Sequence, residues 1–202
     1  ERSGSNLITK IMDGHPDVSG PFPRHAIGTF ALNNYRYGDL SRKSNWEILV
    51  DDFVSYMNCG FSLWKSKITK KLINENVEFH SLAALIKLAY EQEALANQKK
   101  RVFVKENHAY ELIPFTLANF EDAKYLFFVR DPRDMALTWK EATVEGGVKA
   151  GASIWKTDQQ GGIKAYGFLK DLERIVLVRF EDILLNSESE TRRLCTFFDL
   201  KY

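Results

Sequence analysis

Cysteine is scarce in this 202-residue chain: Cys59 and Cys195 are too few for a disulfide framework and lack metal-ligand spacing. The four histidines are scattered, which makes a structural zinc site improbable. An excess of one charge is missing too. Lys and Arg total 28 against 27 Asp and Glu, a net charge of +1, which gives no global case for binding nucleic acid or a membrane surface. Any anion must therefore be recognised by local clusters. No apolar run is long enough to span a bilayer and no signal peptide opens the chain, so a cytoplasmic location is expected, with a Golgi-lumenal domain of a longer protein as the alternative. Repeats, low-complexity tracts and linkers are absent. What remains, 45% hydrophobic and 27% charged residues, is ordinary for one globular domain with a substantial core.

The chain opens on Arg2-Ser3-Gly4-Ser5-Asn6. Leu7, Ile8, Ile11 and Met12 recur at helical spacing, so an amphipathic helix is expected from Ser5 or Asn6. Gly4 permits a tight turn before it, and the first N–H groups then face outward at the positive end of the helix dipole, a ready site for phosphate or sulfate. Arg2 adds a permanent charge with a fork of donors. The alternative is an ordinary Ser/Gly turn with an N-cap.

Further along, Ala26 to Leu32 reads as a helix, and Ser44-Asn45-Trp46-Glu47 has the spacing of a capping box. The helix it starts carries Trp46, Leu49, Val50, Phe53, Val54 and Met57 on one face. Ile68 and Leu72 suggest a short helix, and Ser81 to Gln98 a long one. Arg101 to Lys105 is a short β-rich run, followed by a helical segment around Tyr110 to Phe120. Tyr125 to Val129 and Ile175 to Val178 are apolar runs of the kind buried on both faces of a sheet. Between them, Asp131-Pro132 opens a helix expected to reach Glu145 and stop at Gly146-Gly147. A second helical region, Gly151 to Leu172, is expected to break at Gly161-Gly162, and Ser187-x-x-Glu190 is a second capping box.

Short apolar strands separated by helices indicate an α/β fold with a parallel sheet, whose ligands sit at the carboxyl ends of the strands. Lys105, Arg130 and Arg179 stand at those ends, and the opening loop joins them if a strand precedes it. Residues 1–202 are therefore read as a single domain that lacks its first strand, with the C-terminal end left open.

At this point a family resemblance emerges. Arg2-Ser3-Gly4-Ser5-Asn6-Leu7, with His15-Pro16-Asp17-Val18 after it, resembles the 5′-phosphosulfate loop of sulfotransferases. The stretch from Val129-Arg130-Asp131-Pro132 to Thr138-Trp139 resembles their 3′-phosphate motif. Val178-Arg179-Phe180-Glu181-Asp182-Ile183-Leu184 resembles their "YEDL" segment, with Phe180 and Ile183 replacing its tyrosine and leucine. The resemblance spans nearly the whole chain, in order. It implies a P-loop-NTPase-like sulfotransferase architecture, a parallel β-sheet flanked by helices. The implied reaction moves a sulfuryl group from 3′-phosphoadenosine 5′-phosphosulfate (PAPS) to an acceptor hydroxyl or amine, leaves PAP, and needs no metal.

The same resemblance gives Arg2, Ser3, Gly4, Ser5, Asn6 and Leu7 to the donor's 5′ end, and Arg130 and Thr138 to its 3′-phosphate. Asn6 and Thr138 depart from the family's more usual Thr/Ser and Ser, but both can hydrogen-bond an oxyanion. By resemblance Arg2 also stabilises the leaving phosphate, Lys105 contacts the transferring group, and His25 is the best candidate for general base. Imidazole suits a base near neutrality; the alternative is that His25 caps or packs its own helix. Trp46, Phe53, Tyr56, Phe61 and Trp64 either line an acceptor cleft or form core.

Two other functions compete. A P-loop kinase should carry Gly-x-x-x-x-Gly-Lys-Ser/Thr and magnesium ligands, and the opening loop lacks that lysine. A nucleotide-binding scaffold without catalysis would tolerate loss of His25 or Lys105, and both are present. The expected partner is a small-molecule or carbohydrate acceptor, not nucleic acid.

Overall fold

The computed structural model describes residues 3–60, 63–77, 80–141 and 147–202. Its contacts divide the chain into two compact units, one formed by Glu1–Ile8 with His108–Tyr202 and the other by Thr9–Asn107.

The unit Thr9–Asn107 holds most of helix α1 (Ser5–Asp13), strand β1 (Val18–Ser19), α2 (Ala26–Ala31), a 3₁₀ turn at Asn34–Tyr37, α3 (Lys43–Met57), α4 (Lys70–Asn76), α5 (Leu82–Ala96) and β2 (Arg101–Val102). On α3 the expected stripe is the buried one except for Val54, which is half-buried: Trp46, Leu49, Val50, Phe53 and Met57 are buried. Phe30 of α2 meets Phe53 at 5.0 Å and Tyr56 at 5.4 Å between ring centroids. Trp64 is buried, with its indole N–H donating to the Phe22 carbonyl. Trp46, Phe53 and Trp64 are therefore core and Tyr56 is half-buried; Phe61 lies outside the described residues. Ser81 caps α5 by accepting from the Ala84 N–H, and Thr69 caps α4 by accepting from Leu72. Ile68 therefore precedes its helix, buried at 2% exposure. β1 and β2 pair in parallel, Val18 opposite Arg101 and Ser19 opposite Val102. The β-rich run at Arg101 thus pairs over only two residues, although the Phe103 N–H continues onto the Ser19 carbonyl.

In the other unit, α6 (Ala109–Asn119), β3 (Tyr125–Val129), α7 (Pro132–Glu141), α8 (Gly147–Asp171), β4 (Ile175–Arg179), α9 (Phe180–Leu185) and α10 (Ser187–Phe197) follow one another. β3 and β4 are parallel and in register from Tyr125–Ile175 to Val129–Arg179. The mixed α/β class and parallel pairing are as the sequence implies. The expected single sheet is instead, among the described residues, two two-stranded sheets, one in each unit. With one neighbour per strand, β3 is half-buried throughout and β4 alternates, rather than both being covered on two faces.

Three local expectations are corrected. Neither capping box forms: Ser44 falls inside α3, after Arg42 at the N-cap, and Ser187 is the first residue of α10, after Asn186. The glycine pair does not break α8, which runs unbroken through Gly161 and Gly162. Aromatic rings occupy the space a Cβ would need: Tyr110 lies against Gly161 and Phe127 against Gly162. Close packing compensates for the poor helix propensity of glycine. Of the stop expected for α7 at Gly146-Gly147, Gly146 lies outside the described residues and Gly147 is the first residue of α8.

The glycines of α8 give a paired test. A Cβ on Gly151 would lie 2.5 Å from Cγ of Trp139, which is 2% exposed and cannot swing aside. Gly151→Ala should therefore lose about 1–3 kcal/mol from overpacking, more than the ~1 kcal/mol that alanine gains in helix propensity. Gly167, with nothing within 4 Å of its added Cβ, shows the propensity term alone. Gly167→Ala should raise the thermal midpoint while Gly151→Ala lowers it. Shifts of the same sign would contradict the packing.

Candidate functional site

Gly4, at φ 84°, turns the backbone into α1 in a conformation that side chains resist. A second reason for glycine is steric, because a Cβ here would overlap the ring of Phe180. The Leu7 N–H closes onto the Gly4 carbonyl at 2.8 Å, starting the helix immediately after the turn and engaging one of the expected donor contacts. Ser3 and Ser5 are half-buried at this helix N-terminus, and Asn6 is exposed. The first turn of α1 carries the positive end of the helix dipole. Arg2 lies outside the described residues.

Phe180 links this loop to the second anion motif. Arg130 leaves β3 with its guanidinium carbon 4.5 Å above the centre of the same Phe180 ring, a cation–π contact that steadies the fork. Phe128 meets Phe180 edge-on at 6.2 Å. Glu181 accepts the Asp131 N–H through Oε1 at 2.8 Å, holding the turn that follows Arg130. Asp131 caps α7: its Oδ1 accepts from the Arg133 N–H at 2.8 Å. The Arg133 guanidinium on the same carboxylate, with that N–H, pulls the Asp131 pKa down to about 2, so it is ionised at neutral pH. Thr138 donates to the Asp134 carbonyl at 3.0 Å, so its hydroxyl must turn its proton away from the helix to donate to a phosphate. In this unit the structure thus brings together the opening loop and Arg130, with Phe180 between them. Phe180 had shown in the sequence only as a tyrosine replacement.

His25 and Lys105 belong to the other unit. Lys105, expected at the end of its strand, is half-buried in the segment after β2, three residues beyond the strand's observed end at Val102. His25 sits at the N-cap of α2 with φ 53°, a left-handed conformation rare outside glycine, and its side chain makes no capping bond. The expectation that it merely caps its helix therefore fails. Its Nδ1 lies 3.1 Å from Oε2 of Glu106, and the other oxygen, Oε1, accepts the Ile27 N–H at 3.1 Å. Glu106 thus does the capping in place of His25. The two side chains differ in access: His25 is 36% exposed and Glu106 6%. The imidazole is thus the more accessible of the two, while each Glu106 oxygen has a partner.

A helix N-terminus and a ring-stacked arginine thus lie in one unit with the parallel β3–β4 pair, the arrangement of a mixed α/β protein. The family model of the sulfotransferase family matches residues 1–202, and the chain belongs to that family. Among solved structures, the sulfotransferase domain of the Synechococcus PCC 7002 olefin synthase superposes with a TM-score of 0.65 at 18% identity, covering 100% of this chain and 70% of that one. The sulfotransferase domain of the curacin biosynthetic pathway follows at 0.60 and 17%, covering 100% and 71%. No curated protein sequence matches the chain. Family membership removes the kinase alternative. Among the described residues no helix is long and apolar enough to cross a membrane.

Proposed function

We propose that this chain is a PAPS-dependent sulfotransferase acting on a hydroxyl or amine of a small-molecule or carbohydrate acceptor. The observation that carries the reading is the shared Phe180 ring, which packs on Gly4 and carries Arg130, so that the two anion-binding motifs are parts of one arrangement. Ser3 to Leu7 suit the donor's 5′ end, and Arg130 with Thr138 its 3′-phosphate; Arg2 extends the first set. Bound there, PAPS supplies a sulfuryl group whose S–O bond to the 5′-phosphate breaks as the acceptor oxygen or nitrogen bonds to sulfur. Lys105 contributes positive charge to the transfer. His25 accepts the acceptor's proton at Nε2, which has no partner among the described residues.

Positive charge comes here from arginine, lysine and backbone N–H groups, so turnover is expected to persist in excess EDTA. The test is mass-spectrometric detection of sulfated product and PAP across sugar, phenol, peptide-tyrosine and small-alcohol acceptors. Formation of PAP only on adding magnesium, or donor binding without any sulfated product, would defeat the reading; the second result would indicate a non-catalytic scaffold.

A further inference from the structure

We infer that Glu106 is a positioning residue that sets the tautomer of His25, and so makes Nε2 the basic nitrogen. This rests on the reading of His25 as the base. A neutral imidazole carries its proton on one nitrogen only, and the hydrogen bond made by one nitrogen decides which. Glu106 is buried and ionisable, and its Oε2 stands 3.1 Å from Nδ1. A carboxylate can only accept, so Nδ1 must carry the proton and Nε2 its lone pair. The Asn107 N–H also points toward Nδ1, at 3.4 Å, and would favour the opposite tautomer. The shorter, charge-assisted contact prevails. When the acceptor's proton moves to Nε2, the ring becomes an imidazolium with the Glu106 carboxylate already beside it. The arrangement is rigid because the Ile27 N–H pins Oε1, and the left-handed backbone at His25 fixes where the ring starts.

Glu106→Gln separates this role from mere packing. The Ile27 N–H holds an oxygen, so in the glutamine variant the carbonyl faces Ile27 and the amide nitrogen faces His25. That NH₂ donates, Nδ1 must accept, and the proton moves to Nε2, removing the base without changing shape. The experiment is nitrogen-15 NMR of the histidine rings at a pH where imidazole is neutral, with His25 assigned by the loss of its signal in His25→Ala. Wild type should show Nδ1 protonated and Nε2 bare, and Glu106→Gln the reverse. In sulfuryl transfer, Glu106→Gln should lower kcat by roughly 10²-fold or more, with KM for the donor nearly unchanged. A wild-type ring protonated mainly on Nε2 would overturn the proposal, and that spectrum decides even if the variant does not fold. So would a folded Glu106→Gln protein with near wild-type kcat. If no sulfuryl transfer occurs in wild type, the functional reading fails and the positioning role with it, whereas the tautomer still reports whether the dyad forms.

Discussion

His25→Ala is expected to lower kcat by roughly 10²–10⁴-fold while leaving PAP affinity nearly intact. The nucleotide is assigned to Ser3–Leu7, Arg130 and Thr138, none of which bonds to His25, so binding and turnover should part company. A structural histidine would behave otherwise. Losing it leaves one oxygen of a buried carboxylate without its donor, which costs about 1–3 kcal/mol of stability and little turnover in the folded fraction. Turnover and nucleotide binding must therefore be measured together, below the thermal midpoint of the variant. Near wild-type kcat in the folded His25→Ala protein would remove the residue from the mechanism.

The parts of this fold that were legible in the sequence are those whose cause is local. The α3 stripe from Trp46 to Met57 follows from periodicity alone, and Asp131-Pro132 marks the start of α7 through capping chemistry that needs no other segment. The two candidate anion motifs stand out in the sequence because each is a contiguous string. What escaped was non-local. Gly161 and Gly162 read as a helix break because the rings of Tyr110 and Phe127, which fill the space beside them, come from distant segments. β1 is two residues long, too short for any alternation to register. The capping boxes misled because spacing does not fix where a helix begins; Ser44 and Ser187 were drawn into the first turn.

The site divides in the same way. Nothing in the string Val104-Lys105-Glu106-Asn107 shows that the Glu106 carboxylate closes on a histidine 81 residues earlier. The signal available was the pairing of an acid after one strand with a histidine opening a helix, and that is too common to single out. Phe180 reads in the sequence only as the replacement of a tyrosine, yet its ring is what Gly4 and Arg130 share. A hydroxyl is unnecessary for that platform.

The second large effect belongs to Arg130. Its fork is assigned to the one group that distinguishes adenosine 3′,5′-bisphosphate from adenosine 5′-phosphate. A lost charge-assisted contact of about 1.5–3 kcal/mol corresponds to roughly 10–100-fold in affinity. Arg130→Ala should therefore weaken PAP to the level of adenosine 5′-phosphate while leaving the latter almost unchanged. Removal of the guanidinium exposes the Phe180 face but leaves the Gly4 contact in place, so the opening loop should keep its shape. The most direct measurement is thermal stabilisation of wild type and Arg130→Ala by the two nucleotides at matched concentrations, since a ligand that binds only the folded state stabilises it by RT ln(1 + [L]/Kd) and so the more the tighter it binds. The expected result is a much larger shift with PAP than with adenosine 5′-phosphate in wild type, and equal small shifts in the variant. Equal shifts with both nucleotides in wild type would contradict the two-anion donor site on which the proposed function stands.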